Sequence, residues 1–416
     1  APTFLADAAR SIPEPDFSSE RFKANPFPFY ARLRAEAPVF PLQTFPLGIF
    51  GKRRGWLVTR YDDVVAVLKH KALAKDVFRA LSRDPDAKLP WFVNMIRPIT
   101  HNMLNRDPPD HTRLRGLVHQ AFTPHLVERL RARIQSLTNE LLDAMQKKGS
   151  ADLVADYALP VPVTIIAEML GVPEGDRARF HRYSSRLVSN TTPLRTALSA
   201  PTVLRFARYI RKLIEQRRAS PGEDLLTALI RAEEAGDRLS EDELVSMIFL
   251  MLVAGHETTV NLIASGTLAL LEHPDQMERL RQEPGLMPTA VEELVRFTSP
   301  VEISTMRVAV EDFTVGGVTI PRGDIVTGVI ASANRDERHF TNPDQLDIGR
   351  DPNRHLSFGM GMHYCLGAPL ARLEGSIAIQ NLLQRLPRLR LAKPAESLRW
   401  RTSFFMRGLH KLPVVF

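Results

Sequence analysis

The chain of 416 residues has only one cysteine, Cys365. A single thiol excludes a disulfide framework and leaves no partner thiols for a zinc site built on several cysteines. The sequence also lacks a Gly/Ser linker, a low-complexity run and an internal repeat. Candidate site residues are scattered from His111 to Cys365. We therefore expect a single domain over residues 1–416, although the length alone suggests two or three.

Long apolar segments are missing as well. The longest uninterrupted run, Met247 to Ala254, is far shorter than the ~20 residues that cross a bilayer. We expect no membrane span, no N-terminal signal or anchor, and a cytoplasmic location. The net charge of +8 raises the question of nucleic-acid binding. Because no motif, basic tail or aromatic-basic stripe supports that reading, we predict no nucleic-acid partner.

Hydrophobic periodicity predicts a mainly α fold with a smaller β region. The 31 prolines break the early and late parts of the chain into short pieces. Helical patterns cover about 124–148, 202–217, 222–235, 240–272 and 286–297, and another follows Cys365. Strand-like patterns cover 55–59, 308–310, 313–320, 325–330 and the end near Pro413.

The single cysteine lies in the run Phe-Gly-Met-Gly-Met-His-Tyr-Cys-Leu-Gly, from Phe358 to Gly367. Its glycines permit tight turns and the close approach of a bulky flat group. An apolar helical pattern begins just after it, and a cysteine at a helix N-terminus is biased toward the thiolate. The thiol could be an inert core residue, a nucleophile or an axial ligand to a cofactor, and its neighbours favour the ligand.

The most informative predicted helix begins with the capping box at Ser240 and ends near Glu272. At ~48 Å it is long enough to cross a whole domain. Its middle nevertheless reads Ala-Gly-His-Glu-Thr-Thr, from Ala254 to Thr259. Burying such polar groups is costly unless they are paired. Threonine back-bonding there predicts a gap in the helical hydrogen-bond ladder, and the alternative is a polar notch without chemistry.

The Phe358–Gly367 run resembles the heme-binding signature of the cytochrome P450 superfamily. This resemblance implies a triangular helical prism with a long central helix over the heme. It also implies heme b, iron protoporphyrin IX, with Cys365 as the thiolate ligand of the iron. Phe358, Gly367 and Ala254 would contact the cofactor. The layout looks nearest to the bacterial branch that tailors macrolides and polyketides.

The segment Ala254–Thr259 resembles the oxygen-activation motif of the same family. By that resemblance Thr258 would hydrogen-bond the bound O2 and Glu257 would deliver protons toward it, an acid–hydroxyl relay. His256 points about 100° away from Glu257 on an ideal helix, and we interpret it as a packing residue.

Two further groups of charged residues resemble the charged elements of the cytochrome P450 family. The heme propionates would be bound by His111 and Arg115, which lie at i and i+4 on one predicted helix, and by Arg307 and His363. A Glu-x-x-Arg element, Glu293 with Arg296, would join Arg350 in a structural trio that braces the cysteine loop. Any one of these residues taken alone could be an ordinary surface charge.

The resemblance also implies which residues face the substrate. They are apolar, so each could equally belong to the core, and an apolar pocket would suit a mid-sized hydrophobic molecule. The predicted pocket residues are Phe92, Val93, Leu250, Val253, Ala254, Val301, Ile303, Phe405 and Met406.

The function implied is a heme-thiolate monooxygenase that inserts one atom of O2 into a hydrophobic small molecule, by hydroxylation or epoxidation. No reductase domain is visible, so electrons would come from a ferredoxin or flavodoxin-type donor and its reductase. The positive net charge would favour an acidic donor, docking near Arg113 and Arg372. The alternatives are oxidative coupling or desaturation at the same site, with a carrier-bound substrate, and a non-catalytic heme or gas-binding protein.

Overall fold

The computed structural model describes residues 12–42, 54–82, 101–177, 179–180, 193–234 and 239–416. The contacts divide the chain into two compact units. Unit 1 comprises Ala1–Ala74, Ile134–Leu159 and Thr258–Phe416, and unit 2 comprises Lys75–Arg133 and Pro160–Glu257. Of the boundaries between the units, one falls inside a long helix, between Glu257 and Thr258, and another inside the helix Arg131–Gln146.

Helices dominate the described residues. In chain order the α-helices are α1 (Glu20–Ala24), α2 (Phe27–Glu36), α3 (Tyr61–Lys69), α4 (Val77–Ser82), α5 (Asp110–Ala121), α6 (Pro124–Arg129), α7 (Arg131–Gln146), α8 (Pro160–Met169), α9 (Pro193–Ala219), α10 (Leu225–Glu234), α11 (Glu241–Glu272), α12 (Pro274–Gln282), α13 (Met287–Thr298), α14 (Ile330–Ala333) and α15 (Ala368–Arg385). Short 3-10 turns lie at Met103–Asn105, Glu174–Asp176, Pro284–Leu286, Gly361–His363 and Ala395–Ser397, and a π-helical turn lies at Val154–Ala158.

All strands of the described residues belong to unit 1. They are β1 (Val39–Leu42), β2 (Gly55–Val58), β3 (Leu73–Ala74), β4 (Ser150–Asp152), β5 (Arg307–Ala309), β6 (Phe313–Val315), β7 (Val318–Ile320), β8 (Ile325–Gly328), β9 (Arg390–Leu391) and β10 (Pro413–Val415). The main sheet has the order β1-β2-β8-β5-β3, in which only β2 and β8 are parallel. A second sheet has the order β4-β10-β9, and β6 pairs with β7 in a hairpin.

Two apolar clusters in the described part of unit 1 hold its helices and its main sheet together. In the first, Val64 and Val67 of α3 pack against the main sheet through residues such as Val326. The second joins α13, α15 and the end of α11. A side chain at Gly375 of α15 would come within 2.8 Å of Leu262 on α11, so the glycine permits these two helices to pack closely.

Within unit 2, α5 packs against α10, and α10 also contacts α9. The buried faces carry Leu114 and Val118 of α5 and Leu226 of α10. Phe206 of α9 lies 5.8 Å from the ring of Phe180. Among its described residues this unit has helices and connecting loops but no strand.

The predicted fold class is confirmed, with local differences. The helix predicted over 124–148 is two helices, α6 and α7, that meet at Leu130. The strand predicted over 313–320 is a hairpin, because Gly316 and Gly317 turn the chain with φ of 55° and 77°. The predicted gap does not break the long helix, since α11 is continuous from Glu241 to Glu272.

The helix α11 is long and apolar enough to cross a membrane by length and composition. However, 61% of its most apolar 18-residue window is buried inside the protein. This burial is typical of a core helix, and no other helix of the described ranges passes the same test.

Candidate functional site

The cysteine loop in unit 1 presents its thiol at the start of a helix. Gly359 and Gly361 have φ of 71° and 73°, which L side chains rarely adopt. The loop closes on itself where the amide of Cys365 donates to the carbonyl of Phe358 at 2.8 Å. Gly367 then precedes α15, and Cys365 is exposed. A soft donor thus lies beside the amides and positive dipole end of a helix of 18 residues.

The donor chemistry around the thiol fits one kind of metal group. Among the described residues no three His, Cys, Asp or Glu side chains cluster as a metal site. A single thiolate suits an iron whose other ligands are supplied by a macrocycle and not by the protein. A side chain at Gly367 would lie 3.9 Å from the Cys365 sulfur, so the glycine keeps the space beside the thiol open. The residues present therefore fit a heme.

Behind the loop, an ion-pair network joins α13 to α15. Arg372 donates to Glu292 at 2.5 and 2.8 Å, and His355 contacts the same carboxylate at 3.1 Å. Burial alone would raise the pKa of Glu292, but the hydrogen bonds from Arg372 and His355 outweigh it and lower that pKa to about 2. The Arg372 guanidinium also lies 4.4 Å from the ring centroid of Phe358, within range of a cation–π contact.

The charged trio that the sequence predicted forms a buried network in unit 1. Glu293 accepts two hydrogen bonds of 2.7 Å from Arg296, and it accepts bonds of 3.1 and 3.2 Å from Arg350. The side chains of Glu293 and Arg296 have no exposed surface. Asn353 donates to the same carboxylate at 3.0 Å. The trio thus holds the segment that precedes the cysteine loop.

The helix α11 carries the predicted relay residues. Ser240 and Glu243 form the predicted capping box. The amide of Ser240 donates to the Glu243 carboxylate at 2.8 Å, and the amide of Glu243 donates to the Ser240 hydroxyl at 3.2 Å. Glu257 is only 8% exposed, whereas Thr258 is half-buried. His256 is buried and its Nδ1 lies 2.7 Å from the carbonyl oxygen of Leu252, as suits a packing residue.

One stripe of α11 is accessible along the helix. Ala254 is exposed, although small residues in the middle of a core helix are usually buried. Leu250 and Thr258, one turn before and one turn after it, are half-buried, as is Val253. Residues at i, i+4 and i+8 share one face, so Leu250, Ala254 and Thr258 border the same side of the helix.

The four predicted propionate ligands are arginines and histidines distributed over both units. In unit 2, His111 and Arg115 lie one turn apart on α5, where burial and then the charge of Arg115 lower the pKa of His111. In unit 1, Arg307 on β5 is 3% exposed and contacts the carbonyls of Thr305 and Leu68 at 3.3 and 3.4 Å. His363 is half-buried within the cysteine loop.

Two predicted pocket segments of unit 1 lie side by side. Val301 and Met406 form an antiparallel bridge, and both are half-buried, as is Phe405. Ile303, by contrast, has no exposed surface. Of the two predicted pocket residues Val301 and Ile303, only Val301 is therefore partly accessible. Phe92 and Val93 lie outside the residues that the structure describes.

The predicted docking arginines are both engaged in ion pairs. Arg113 pairs with Glu243 inside unit 2, and Arg372 pairs with Glu292 inside unit 1. Their side chains remain 29% and 36% exposed. Each arginine side chain is therefore partly accessible. Its positive charge is already paired with a glutamate, however, so each has a weaker attraction for an acidic partner.

Sequence reasoning missed a buried acid, Glu374 on α15. It is 1% exposed, and burial raises its pKa to about 8, against a hydrogen bond with Thr259 that lowers it. Its Oε2 has no hydrogen-bond partner within the described part of the chain. The signal was available: an acidic residue stands beside the apolar positions Leu373 and Ile377 of a buried helix.

Comparison with known proteins agrees with this geometry. The family model "Cytochrome P450" matches residues 55–394. The polyketide biosynthesis cytochrome P450 PksS of Bacillus subtilis is 47% identical over 396 residues, which cover 95% of this chain and 96% of the relative. The solved structure of PksS superposes with a TM-score of 0.89 over 97% of this chain and 99% of that one.

Two further solved structures contain acyl ligands. Myxobacterial cytochrome P450 CYP267B1 in complex with myristic acid has a TM-score of 0.88 and 43% identity, over 97% of this chain and 99% of that one. P450BioI in complex with an acyl carrier protein ligated to hexadec-9Z-enoic acid has a TM-score of 0.86 and 38% identity, over 96% and 100%. The family match and these identities over nearly the whole chain show that the protein belongs to the cytochrome P450 monooxygenase family, whose members hold heme through a cysteine thiolate.

Proposed function

We propose that this protein inserts one atom of O2 into a mid-sized hydrophobic acyl or polyketide chain, by hydroxylation or epoxidation. The single observation that carries the proposal is the exposed Cys365 thiol at the start of α15, in a chain that has no other cysteine. The substrate class is supported by PksS, named for polyketide biosynthesis, and by the relative solved with myristic acid.

We assign the residues of this chain as follows. Cys365 would hold the heme through its thiolate, and the heme, when bound, would supply an iron that binds and activates O2. His111, Arg115, Arg307 and His363 bind the propionates as donors, while Phe358, Gly367 and Ala254 contact the macrocycle. We also propose that residues 1–416 form a single domain. Glu293, Arg296 and Arg350 stabilise the segment before the cysteine loop.

The proton is moved by Glu257 and Thr258. A carboxyl group that is 8% exposed can hold a proton out of bulk water, and a neighbouring hydroxyl can pass one on while it accepts another. The accessible stripe of α11 places Thr258 on the same face as Ala254 and Leu250. We propose Leu250, Val253 and Ala254 of α11 as substrate-contacting residues. In unit 1 we propose Val301, Phe405 and Met406, which are half-buried and so retain surface for contact.

Electrons would come from a separate donor of ferredoxin or flavodoxin type and its reductase, because the family requires an electron donor. The net charge of +8 favours an acidic donor. We also propose a cytoplasmic location, where such donors occur.

The absorption spectrum of the dithionite-reduced protein under carbon monoxide tests the cofactor assignment. We expect a strongly red-shifted Soret band in the wild type and its loss in Cys365→Ser. A band typical of histidine ligation, or no heme in the wild type, would overturn the proposal.

Turnover of myristic acid under isotopically labelled O2 tests the reaction. Label in a hydroxylated product is the expected result, because the saturated chain has C–H bonds but no double bond. A product without label would favour desaturation or coupling. Reversible O2 binding by the reduced protein without any product would favour a gas-binding protein.

A second candidate is action on a carrier-bound acyl chain. The relative solved with its acyl carrier protein favours it. Comparison of free myristic acid with myristoyl-carrier protein in the same assay separates the two, because a carrier-dependent enzyme would oxidise only the second.

A further inference from the structure

A buried charged cluster in unit 1 lies behind the two segments that carry predicted pocket residues. Lys23 of α1, Tyr30 of α2 and Glu302 all have no exposed surface. Lys23 donates to Glu302 at 2.6 Å, and the Tyr30 hydroxyl donates to the other oxygen of the same carboxylate. The two helices that supply these donors are about 270 residues away in sequence from Glu302, so the cluster forms only in the folded chain.

Glu302 lies between two residues of the predicted pocket wall. Glu302 has no exposed surface, whereas Val301 beside it is half-buried, so the two neighbouring side chains have different surroundings. Its own amide donates to the carbonyl of Phe405 at 2.8 Å, and its carbonyl accepts from Ala331 at 3.0 Å. The position of Glu302 therefore determines where Val301 lies against Met406.

The second wall segment is tied to the same helix. The Lys23 ammonium that binds Glu302 also lies 3.4 Å from the carbonyl of Phe404, next to Phe405. Arg407, next to Met406, donates to the carbonyls of Lys23 and Ala24 at 2.9 and 3.1 Å. Its guanidinium lies 3.8 Å from the ring of Trp400. Both wall segments are thus held by the five-residue helix α1.

Stability alone does not account for these charges. Burial is the main effect that lowers the pKa of Lys23, and it also lowers that of Arg407 to about 10, so the cluster carries a desolvation cost. Apolar residues of similar volume are often as stable as a buried ion pair, whereas hydrogen-bonded charges fix one geometry. A fixed geometry matters most where a wall must match a substrate.

We propose that Glu302, held by Lys23 and Tyr30, is a positioning residue that sets the substrate wall formed by Val301, Phe405 and Met406. The proposal rests on the pocket assigned under the proposed function. It makes helices α1 and α2 determinants of substrate specificity, although they contribute no side chain to the wall itself.

The test compares two azoles that bind heme iron but differ in reach. Imidazole is too small to need the wall, whereas 4-phenylimidazole extends from the iron into the pocket. The dissociation constant of each is measured from the change in the heme spectrum, in wild type and in Tyr30→Phe. The matched control is Tyr157→Phe, because Tyr157 is also fully buried and donates one hydrogen bond, to Ala378 at 2.8 Å.

We expect Tyr30→Phe to weaken 4-phenylimidazole binding by about threefold or more with little change for imidazole, since small displacements of positioning groups have large effects. Tyr157→Phe should change neither constant. An unchanged ratio of the two constants in Tyr30→Phe would overturn the proposal.

A double variant separates positioning from stability. Lys23→Met with Glu302→Gln removes both charges and keeps the side-chain volumes, so its unfolding midpoint should stay near that of the wild type. The proposal predicts that its ratio of azole constants is nevertheless altered, and a wild-type ratio would contradict it. Failure of the proposed function is a different result, because the wild type would then show no azole-induced change in a heme spectrum.

Discussion

Glu293 accepts two hydrogen bonds from the Arg296 guanidinium, each 2.7 Å long, in a site where neither side chain has exposed surface. The remaining Arg296 nitrogen donates to the carbonyls of Asn334 and Pro343 at 2.8 Å. A bidentate pair with its other donors satisfied is the arrangement in which a buried ion pair offsets its desolvation cost. The pair therefore couples α13 to the chain that leads into the cysteine loop.

The first prediction concerns this pair. Glu293→Gln leaves Arg296 buried without a compensating charge, so the free energy of unfolding should fall by about 3–5 kcal/mol. Urea denaturation and the heme content of the purified protein measure the effect. Glu36→Gln is the control, because Glu36 pairs with Arg32 at 2.9 Å where both side chains are exposed, and such a pair contributes less than about 1 kcal/mol. Equal losses in both variants would contradict the structural role.

Much of the local structure at the candidate site was predictable from the sequence, because the patterns that indicate it are short. The cysteine loop, the capping box at Ser240 and the spacing of Glu293 and Arg296 each lie within ten residues. Such runs determine their own turns and helix faces. The hairpin of β6 and β7 was not predicted, although its signal is also local. A single strand was expected there, but two adjacent glycines with positive φ turn the chain between two strands.

What the sequence did not predict depends on distant residues. Lys23 and Glu302 are 279 positions apart, and neither carries a local signal of burial. Likewise, Ile303 was expected in the pocket from the family resemblance, but packing in unit 1 covers it fully. Which face of a short extended segment is accessible is decided by neighbours that local patterns do not specify.

The second prediction uses the buried acid Glu374. Because burial raises its pKa to about 8, the folded protein keeps a proton that the unfolded chain loses near pH 4.3. Stability is therefore lost as pH rises from about 4.3 to about 8, by on the order of 1 kcal/mol per pH unit. Glu374→Gln should remove this slope and be more stable than the wild type at pH 8. Parallel pH profiles of the unfolding free energy for both proteins would contradict this.

The third prediction uses Glu292, whose pKa shifts in the opposite direction. With a folded pKa of about 2, its ion pair with Arg372 stabilises the protein above pH 4.3, and this contribution is lost as pH falls toward 2. Arg372 is partly exposed, so after screening we expect about 1 kcal/mol. Glu292→Gln should be less stable at pH 7 and show a weaker acid dependence. If the unfolding free energy of both proteins falls equally as the pH decreases toward 2, the pair does not stabilise the fold.

The last prediction concerns Thr258, which differs from other threonines of α11 in its exposure. Thr267 is buried and its hydroxyl donates to the carbonyl of Ile263 at 2.7 Å, as is usual inside a helix. Thr258 is half-buried on the accessible stripe with Ala254, and it follows the buried carboxyl of Glu257. A hydroxyl in that position can take part in proton transfer, whereas the Thr267 hydroxyl serves only the helix.

Thr258→Val keeps the shape of the side chain and removes the hydroxyl, so donor consumption should continue while labelled product per electron pair falls by about tenfold or more. The missing reducing equivalents should appear as hydrogen peroxide. Thr258→Ser should restore most of the product, because it restores the hydroxyl, and Thr267→Val should leave the yield unchanged. An undiminished yield in Thr258→Val would show that protons reach the bound O2 without this residue, and Glu257→Gln would then identify whether the acid acts alone.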